Sequence, residues 1–252
     1  MKILLGSGGI GTDERRKLFF NLISETFEGC KKIIFIPYAS GDYDERTRSV
    51  KEMFSHLEFE IIGIHELENP LIEIENMEGI YVGGGNTFSL VKKLHENKLL
   101  QIIRKKVLDD GIPYAGVSAG ANVACPTMQT TNDMPIDLVP SYDTFDIVPF
   151  QINPHYYPGG IWWKEYYVDL SDNDDILKEN LNEHFGETRN RRIEEFHKYN
   201  DTPVIGLYEG SFLICNEEGI ELKGNKAAII IKGAEIETIS PNKKMNYDLT
   251  TR

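Results

Sequence analysis

The sequence predicts an α/β fold: a doubly wound, mainly parallel sheet with an antiparallel meander at its C-terminal end. Three observations carry this. Short apolar runs alternate with stretches of helical spacing through the first half of the chain. The runs are apolar throughout rather than at every second residue, as in strands buried on both faces. After Pro203 the helical spacing gives way to short β runs separated by turn residues.

Taken in order, Ile3–Leu5 is a buried strand that opens into a glycine turn, Gly6–Gly11. Leu18, Phe19, Leu22, Ile23 and Phe27 then predict a helix over 13–28. Lys32–Pro37 is the second strand. A polar helix carrying Val50, Met53, Phe54 and Leu57 leads to a third strand at Phe59–Ile64. Gly79–Val82 is the fourth, followed by Gly83-Gly84-Gly85. Phe88, Val91 and Leu94, then Leu99, Ile102, Ile103 and Val107, mark two more helical stretches before a fifth strand at Ile112–Val117. Residues 126–160 are rich in Pro, Asp, Thr and Asn and read as long functional loops. A helix is expected over about 186–199. The runs VIGLY, SFLIC, IELK, AAIII and EIETI read as the meander at the sheet edge. No repeat, low-complexity tract or linker divides 1–252, so a single domain is expected.

Apolar residues make up 40% and charged residues 27%, as in soluble globular chains. The net charge of −13 makes a poor counterion for phosphate, which argues against a nucleic-acid partner. Cys30, Cys125 and Cys215 form no CxxC pair and no disulfide framework, which suits a reducing cytoplasm. No apolar run approaches the ~20 residues a membrane span needs. The three apolar residues after Lys2 are too few for a secretory leader. The expectation is a cytoplasmic protein with no membrane partner and no metal.

Two glycine motifs compete for the functional reading. Gly6-Ser7-Gly8-Gly9-Ile10-Gly11 fits G-x-G-x-x-G between a strand and a helix, the setting of a dinucleotide fingerprint. The ribose-binding acid should close the second strand, where Pro37-Tyr38-Ala39-Ser40 offers no carboxylate. The plainer reading, a turn joining strand to helix, is preferred. Gly116-Val117-Ser118-Ala119-Gly120 fits G-x-S-x-G at the end of a strand and the start of a helix, the setting of a nucleophile elbow. The turn would hold the Ser118 hydroxyl clear of the backbone. The helix N-terminus would add free N–H groups and positive potential, with the Ala119 N–H as an oxyanion donor.

A nucleophilic serine needs a base and an acid that orients it. Of six histidines, His155 stands out in Gln151-Ile152-Asn153-Pro154-His155, after the apolar Ile147–Phe150. Two acids qualify. Asp133 lies in Thr130-Thr131-Asn132-Asp133-Met134-Pro135, and Glu209 follows the VIGLY run. Spacing does not choose between them.

At this point the chain resembles peptidase E, a family of cytosolic α-aspartyl dipeptidases of the serine type. The resemblance rests on Gly83–Phe88, Ser118–Asn122, Ala124–Thr127, Thr130–Pro135, Gln151–His155, Gly186–Arg189 and Val204–Leu207, in that order. It implies a class I glutamine-amidotransferase-like (flavodoxin-like) fold with serine in place of the usual cysteine, and cleavage of dipeptides with an N-terminal aspartate. It also implies no metal and no cofactor. Ser118 and His155 carry over as catalytic. In that family the acid is assigned to the position of Asp133 and also to that of Glu209, one as orienter and the other as a holder of the substrate's α-ammonium.

With this chemistry, the Ala119 N–H and an N–H of Gly84-Gly85 would hold the oxyanion, and Asn86 beside them is a substrate-binding candidate. An acidic substrate meets an acidic protein, so a local cation must reverse the field. Arg189 is the choice, with a planar fork that matches a carboxylate, and Glu187 would fix its pose. Residues 156–185, thirty in all, separate His155 from Gly186. That is longer than in bacterial relatives, and the aromatic run in the 158–183 insertion reads as packed core, lid or oligomer contact. The partner is a small peptide, and a homo-oligomer stays open. Rival readings are a cyanophycinase-like exopeptidase acting on β-aspartyl bonds, a dinucleotide-binding protein and a non-catalytic member of the fold.

Overall fold

The computed structural model of the chain describes residues 1–157 and 188–245. Five parallel strands form its centre: β1 (Lys2–Gly6), β2 (Lys32–Ile36), β3 (Glu60–Gly63), β4 (Gly79–Val82) and β5 (Tyr114–Val117). They lie in the order β1-β5-β4-β2-β3. Gly116 pairs with Leu5 on one side and Val82 on the other, so β5 ends between its two neighbours.

Helices cover both faces. On one, α1 (Asp13–Thr26) and α2 (Tyr43–Met53) bury Phe19, Ile23 and Val50 against Leu4, Ile33, Phe35 and Tyr81. After the single turn α3 (Pro70–Glu73), α4 (Thr87–Glu96) and α5 (Leu99–Leu108) cover the other face. Their Leu90, Leu94 and Ile103 meet Ile34, Ile80 and Val82. Successive strand residues point to opposite faces and both faces are buried, hence the unbroken apolar runs. Three of these helices, α1, α2 and α4, start where a polar side chain replaces a missing hydrogen bond, while α5 starts from Lys98 without a side-chain cap. Thr12 accepts from the Arg15 N–H, Asp42 from Glu45 and Asn86 from Ser89.

Beyond β5 comes one turn of helix, α6 (Ala119–Asn122), then a long irregular stretch that ends in the three-residue β6 (Gln151–Asn153). α7 (Arg189–Phe196) occupies the core of the helix expected over 186–199. The C-terminal strands are β7 (Val204–Gly206), β8 (Phe212–Asn216), β9 (Gly219–Lys223), β10 (Ala228–Lys232), β11 (Glu235–Ile239) and β12 (Lys244–Met245). They are mostly antiparallel, and they divide between two sheets. β8, β9 and β12 extend the central sheet from β1. β11, β10, β7 and β6 make a second sheet, in which β6 and β7 run parallel. Three residues of strand inside a loop-like composition carry no period, so β6 and the sheet it starts escape a reading by pattern. The chain switches sheets between β7 and β8, and Glu209 sits in that switch. The 158–183 insertion lies outside the described residues. Among the described residues no helix is long and apolar enough to cross a membrane.

Candidate active site

Ser118 follows β5 in a strained conformation, φ 56° and ψ −112°, a departure that costs about 1–3 kcal/mol unless the surroundings enforce it. The surroundings are backbone. A Cβ at Gly120 would overlap the Val82 carbonyl oxygen, and one at Gly116 would overlap that of Gly120. Only glycine lets β4, β5 and α6 close together this tightly, and the closure pushes Ser118 outward. The helix behind the serine has four residues, Ala119–Asn122. The positive potential expected from a helix N-terminus therefore reduces to the local amides, because one turn sums few peptide dipoles.

The Ser118 Oγ lies 2.7 Å from His155 Nε2. On the far side of the ring, His155 Nδ1 lies 2.5 Å from Glu209 Oε1. A carboxylate only accepts, so Nδ1 carries the proton and Nε2 is left to accept from the serine. The carboxylates that the sequence left open are thereby separated. Glu209 reaches the histidine; Asp133 does not. Asp133 Oδ2 accepts from the Thr87 N–H at 2.7 Å, the Thr87 hydroxyl at 2.6 Å and the Thr131 hydroxyl at 3.2 Å. It anchors the loop after β5 to the first turn of α4.

His155 also has a left-handed backbone, φ 53°, and a net of amide side chains steadies the segment that carries it. Asn122 Nδ2 donates to the Ile152 carbonyl at 2.7 Å, and Asn132 Nδ2 to that of Pro154 at 2.5 Å. Asn153 Nδ2 donates to the Thr130 carbonyl at 3.0 Å and to Asn132 Oδ1 at 2.7 Å. Sequence reasoning assigned none of these three asparagines a role. The available signal was that each lies within a motif already singled out for its serine, acid or histidine.

Gly84 faces the nucleophile: a Cβ there would stand 3.1 Å from Ser118 Cβ and 3.6 Å from Oγ. The amides of Gly84, Gly85 and Ala119 donate to no acceptor among the described residues. Two of these unused N–H groups, those of Gly84 and Ala119, belong to residues beside the serine. Asn86 Oδ1 caps α4 by accepting from the Ser89 N–H at 3.1 Å, and its Nδ2 donates to the Met134 carbonyl at 2.9 Å. The side chain latches the 131–136 loop to α4, and its amide keeps a second Nδ2 proton for a substrate.

Arg189 opens α7 with its guanidinium 5.3 Å from the centre of the Tyr157 ring. Burial pulls its pKa below the ordinary value, while Tyr157 and Asp133 act in the opposite direction. Its Nε is buried without a partner among the described residues. A half-buried cation beside a carboxylate, with a donor to spare, can take a second anion. A cleft of about 450 Å³ is lined in part by Phe88, Thr131, Asp133 and Arg192; Arg189 and Ser118 are not among its lining residues. Glu187 lies outside the described residues.

The Gly6–Gly11 turn does not present a phosphate cradle. A Cβ at Gly8 would stand 2.9 Å from the His155 ring, and one at Gly9 would overlap the Glu209 carboxylate. The helix that follows carries Asp13 and Glu14 in its first turn, two charges that repel a pyrophosphate. Among the described residues no three His, Cys, Asp or Glu side chains gather as a metal site.

The sequence profile of peptidase family S51 matches residues 2–223. A protein named peptidase E from Nostoc sp. is 41% identical over 221 residues, 86% of this chain and 83% of that relative. One from Drosophila melanogaster, named probable alpha-aspartyl dipeptidase, is 39% identical over 202 residues, 80% of this chain and 76% of its own. A crystal structure provisionally described as a peptidase E protein, from Listeria monocytogenes EGD-e, superposes with a TM-score of 0.50 at 20% identity. It covers 97% of this chain and 98% of its own, a likeness of fold. From the profile match across most of its length and the identity to these relatives, the chain belongs to peptidase family S51.

Proposed function

We propose that this protein is a serine dipeptidase that hydrolyses dipeptides with an N-terminal aspartate through an acyl-enzyme. The observation that carries the reading is the unbroken chain of hydrogen bonds Ser118–His155–Glu209 at the elbow after β5. The family and the names of the relatives supply the substrate class.

The chemistry follows from the atoms. His155 Nε2 takes the proton from Ser118 Oγ as the oxygen attacks the scissile carbonyl. Glu209 stabilises the imidazolium and holds the ring in the tautomer that leaves Nε2 basic. Negative charge moves to the carbonyl oxygen, where the amides of Ala119 and of Gly84 or Gly85 receive it. His155 then gives the proton to the departing amine. Water, activated by the same histidine, releases aspartate and restores the serine. Every proton transfer uses these side chains, so the cycle calls for no metal and no cofactor.

Specificity belongs to the other side of the serine. Arg189 pairs with the aspartyl carboxylate, and Asp133 is the anion for the substrate's α-ammonium. A β-linked substrate, as a cyanophycinase-like enzyme would take, puts the scissile carbonyl on the side chain and leaves the α-carboxylate for the cation; the family relatives do not favour that reading. A cytoplasmic location goes with a small-peptide substrate and with three cysteines that form no disulfide framework.

The test is a panel of Asp-Leu, Asn-Leu and β-Asp-Leu with wild type and Arg189→Met. Asp-Leu is expected to be the best substrate. Truncating one partner of a buried charge pair costs ~2–5 kcal/mol, so kcat/KM for Asp-Leu should fall ~30-fold or more. Asn-Leu, isosteric and uncharged, should lose much less. An unchanged Asp-Leu to Asn-Leu ratio would move the assignment to Arg191 or Arg192.

A further inference from the structure

The first glycine motif is unused by the chemistry above, and its one polar side chain is placed where that chemistry is most sensitive. Ser7 is completely buried. Its Oγ accepts from the His155 main-chain N–H at 2.8 Å and donates to the Leu207 carbonyl at 2.8 Å. Its own N–H donates to the Ser211 carbonyl at 3.1 Å. Leu207 and Ser211 stand two residues before and two residues after Glu209. The Gly210 N–H, next to the acid, donates to the Gly8 carbonyl at 2.8 Å. Ser7 and Gly8 therefore grip the sheet-switching turn that carries Glu209 at three points. The same hydroxyl grips the residue that carries the imidazole.

We infer that Ser7 is a positioning residue: its hydroxyl joins the backbone of the base to the turn that carries its orienting acid, at Leu207, and so sets the distance between His155 Nδ1 and Glu209. Two features make a tie necessary. His155 holds a left-handed backbone, φ 53°, that a non-glycine residue leaves readily when unsupported. Glu209 belongs to a turn between two sheets. The Leu207 N–H donates to the Asn153 carbonyl at 3.0 Å and the Tyr156 N–H to the Leu207 carbonyl at 3.1 Å, which fastens the turn to the His155 segment, and Ser7 fastens both to β1. The rest of the motif agrees with this role. Gly8 and Gly9 lack the side chains that would strike the His155 ring and the Glu209 carboxylate. Arg15 Nη1 donates to the Gly9 carbonyl at 3.2 Å and holds the turn from the α1 side. The turn is a bearing for the histidine–glutamate pair.

The inference rests on the serine-peptidase reading, and its test has one arm that needs no turnover. In Ser7→Ala, normalised to folded protein, kcat for Asp-Leu should fall ~10- to 100-fold, the scale of a small misplacement at the reacting atoms. KM should stay within about twofold, since no substrate contact is lost. The second arm is the downfield proton resonance of the His155 Nδ1–H···Glu209 hydrogen bond. It should persist in Ser118→Ala, which leaves the pair intact, and be lost or shifted upfield in Ser7→Ala. Ser7→Thr keeps the hydroxyl and should keep the resonance; it carries the test if Ser7→Ala does not fold. A Ser7→Ala enzyme with wild-type kcat and an unchanged resonance overturns the inference, as does a folded Ser7→Thr protein without the resonance. A wild type that shows the resonance and cleaves no Asp-X dipeptide overturns the functional reading, while the resonance arm still decides the role of Ser7.

Discussion

Two glycine turns leave the same edge of the central sheet from adjacent strands, Gly6–Gly11 after β1 and Gly116–Gly120 after β5. Both resemble ligand-binding motifs, and they need glycine for different reasons. At the elbow the obstacle is backbone: carbonyl oxygens of Val82 and Gly120 occupy the space that a Cβ would need. Those atoms belong to packed strands and to the helix turn itself and cannot yield. At the first turn Gly8 and Gly9 hold φ of +120° and +67°, and what fills the vacancy is side chain: the His155 ring and the Glu209 carboxylate. One turn presents the nucleophile. The other makes room for the groups that activate it. Glycine in a motif is thus a statement about an approach, and what approaches has to be known before a function is assigned.

The sharpest way to break the contrast is to remove the reactive atom. Ser118→Ala should lower kcat for Asp-Leu by about 10⁴- to 10⁶-fold, the size seen when a triad nucleophile is lost. Its melting temperature should stay close to wild type, because the glycines rather than the hydroxyl shape the elbow. Activity within tenfold of wild type would discard the serine mechanism.

The next largest effect separates the acids. Glu209→Gln keeps the shape and loses the charge that orients and stabilises His155, so kcat should drop about 10⁴-fold with little change in KM. Asp133→Asn can still accept from Thr87 through its remaining oxygen and should mainly raise KM. Steady-state kinetics of the two variants side by side settle the division. If Asp133→Asn loses kcat as Glu209→Gln does, with KM unchanged, the division is wrong.

Alanine at each turn then tests the comparison itself. Gly120→Ala forces backbone apart, and an overpacking cost of ~3 kcal/mol corresponds to roughly 6–12 °C in Tm for a chain of this size. Gly9→Ala meets a carboxylate that can swing away, so its cost is mainly that of alanine at φ +67°, and Tm should fall by about 2–4 °C. Its kcat should fall about tenfold, because the carboxylate swings away from His155. Calorimetry and kinetics together read the contrast. A Gly9→Ala variant that unfolds while keeping full activity per folded molecule would erase it.

The smallest expected effect is none. Burial pushes the Cys215 thiol up to about 12 and raises Cys125 as well, and Cys30 is raised by partial burial and Glu78. Buried thiols with raised pKa, Cys125 and Cys215, are protonated and unreactive at pH 8, and Cys30 lies before β2, at the opposite end of the sheet from Ser118. Iodoacetamide at that pH should leave activity unchanged, in contrast to a serine-directed phosphonylating reagent. Thiol-dependent inactivation would place a cysteine in the chemistry.

How far the site was legible depended on the range of each interaction. The elbow could be read because its geometry follows from five consecutive residues between a strand and a helix. His155 could be singled out by elimination and resemblance. Its partner could not, since Asp133 and Glu209 are equally plausible by spacing and differ only in which turn the folded chain brings to Nδ1. Asn86 was read as a substrate ligand because it adjoins the oxyanion glycines. Its side chain also joins a helix cap to the Met134 carbonyl, 48 residues on, a structural role that adjacency does not reveal. Ser7 drew no notice, for its partner at His155 lies 148 residues away.

By itself the sequence determined the alternation of buried strands and helices, a sheet covered on both faces and the strand-to-helix turn that carries Ser118. These depend on periodicity, on glycine and on side chains a few residues apart, which act before the chain has collapsed. The tertiary structure alone decided which acid serves the histidine, that the C-terminal strands divide between two sheets, and that the first glycine turn supports the base. Each of these is a pairing between elements distant in sequence, in the central order β8-β1-β5-β4 or in the β7-β6 pair of the second sheet. Neighbours there are chosen by crossover connections and shared burial, and no local propensity encodes them.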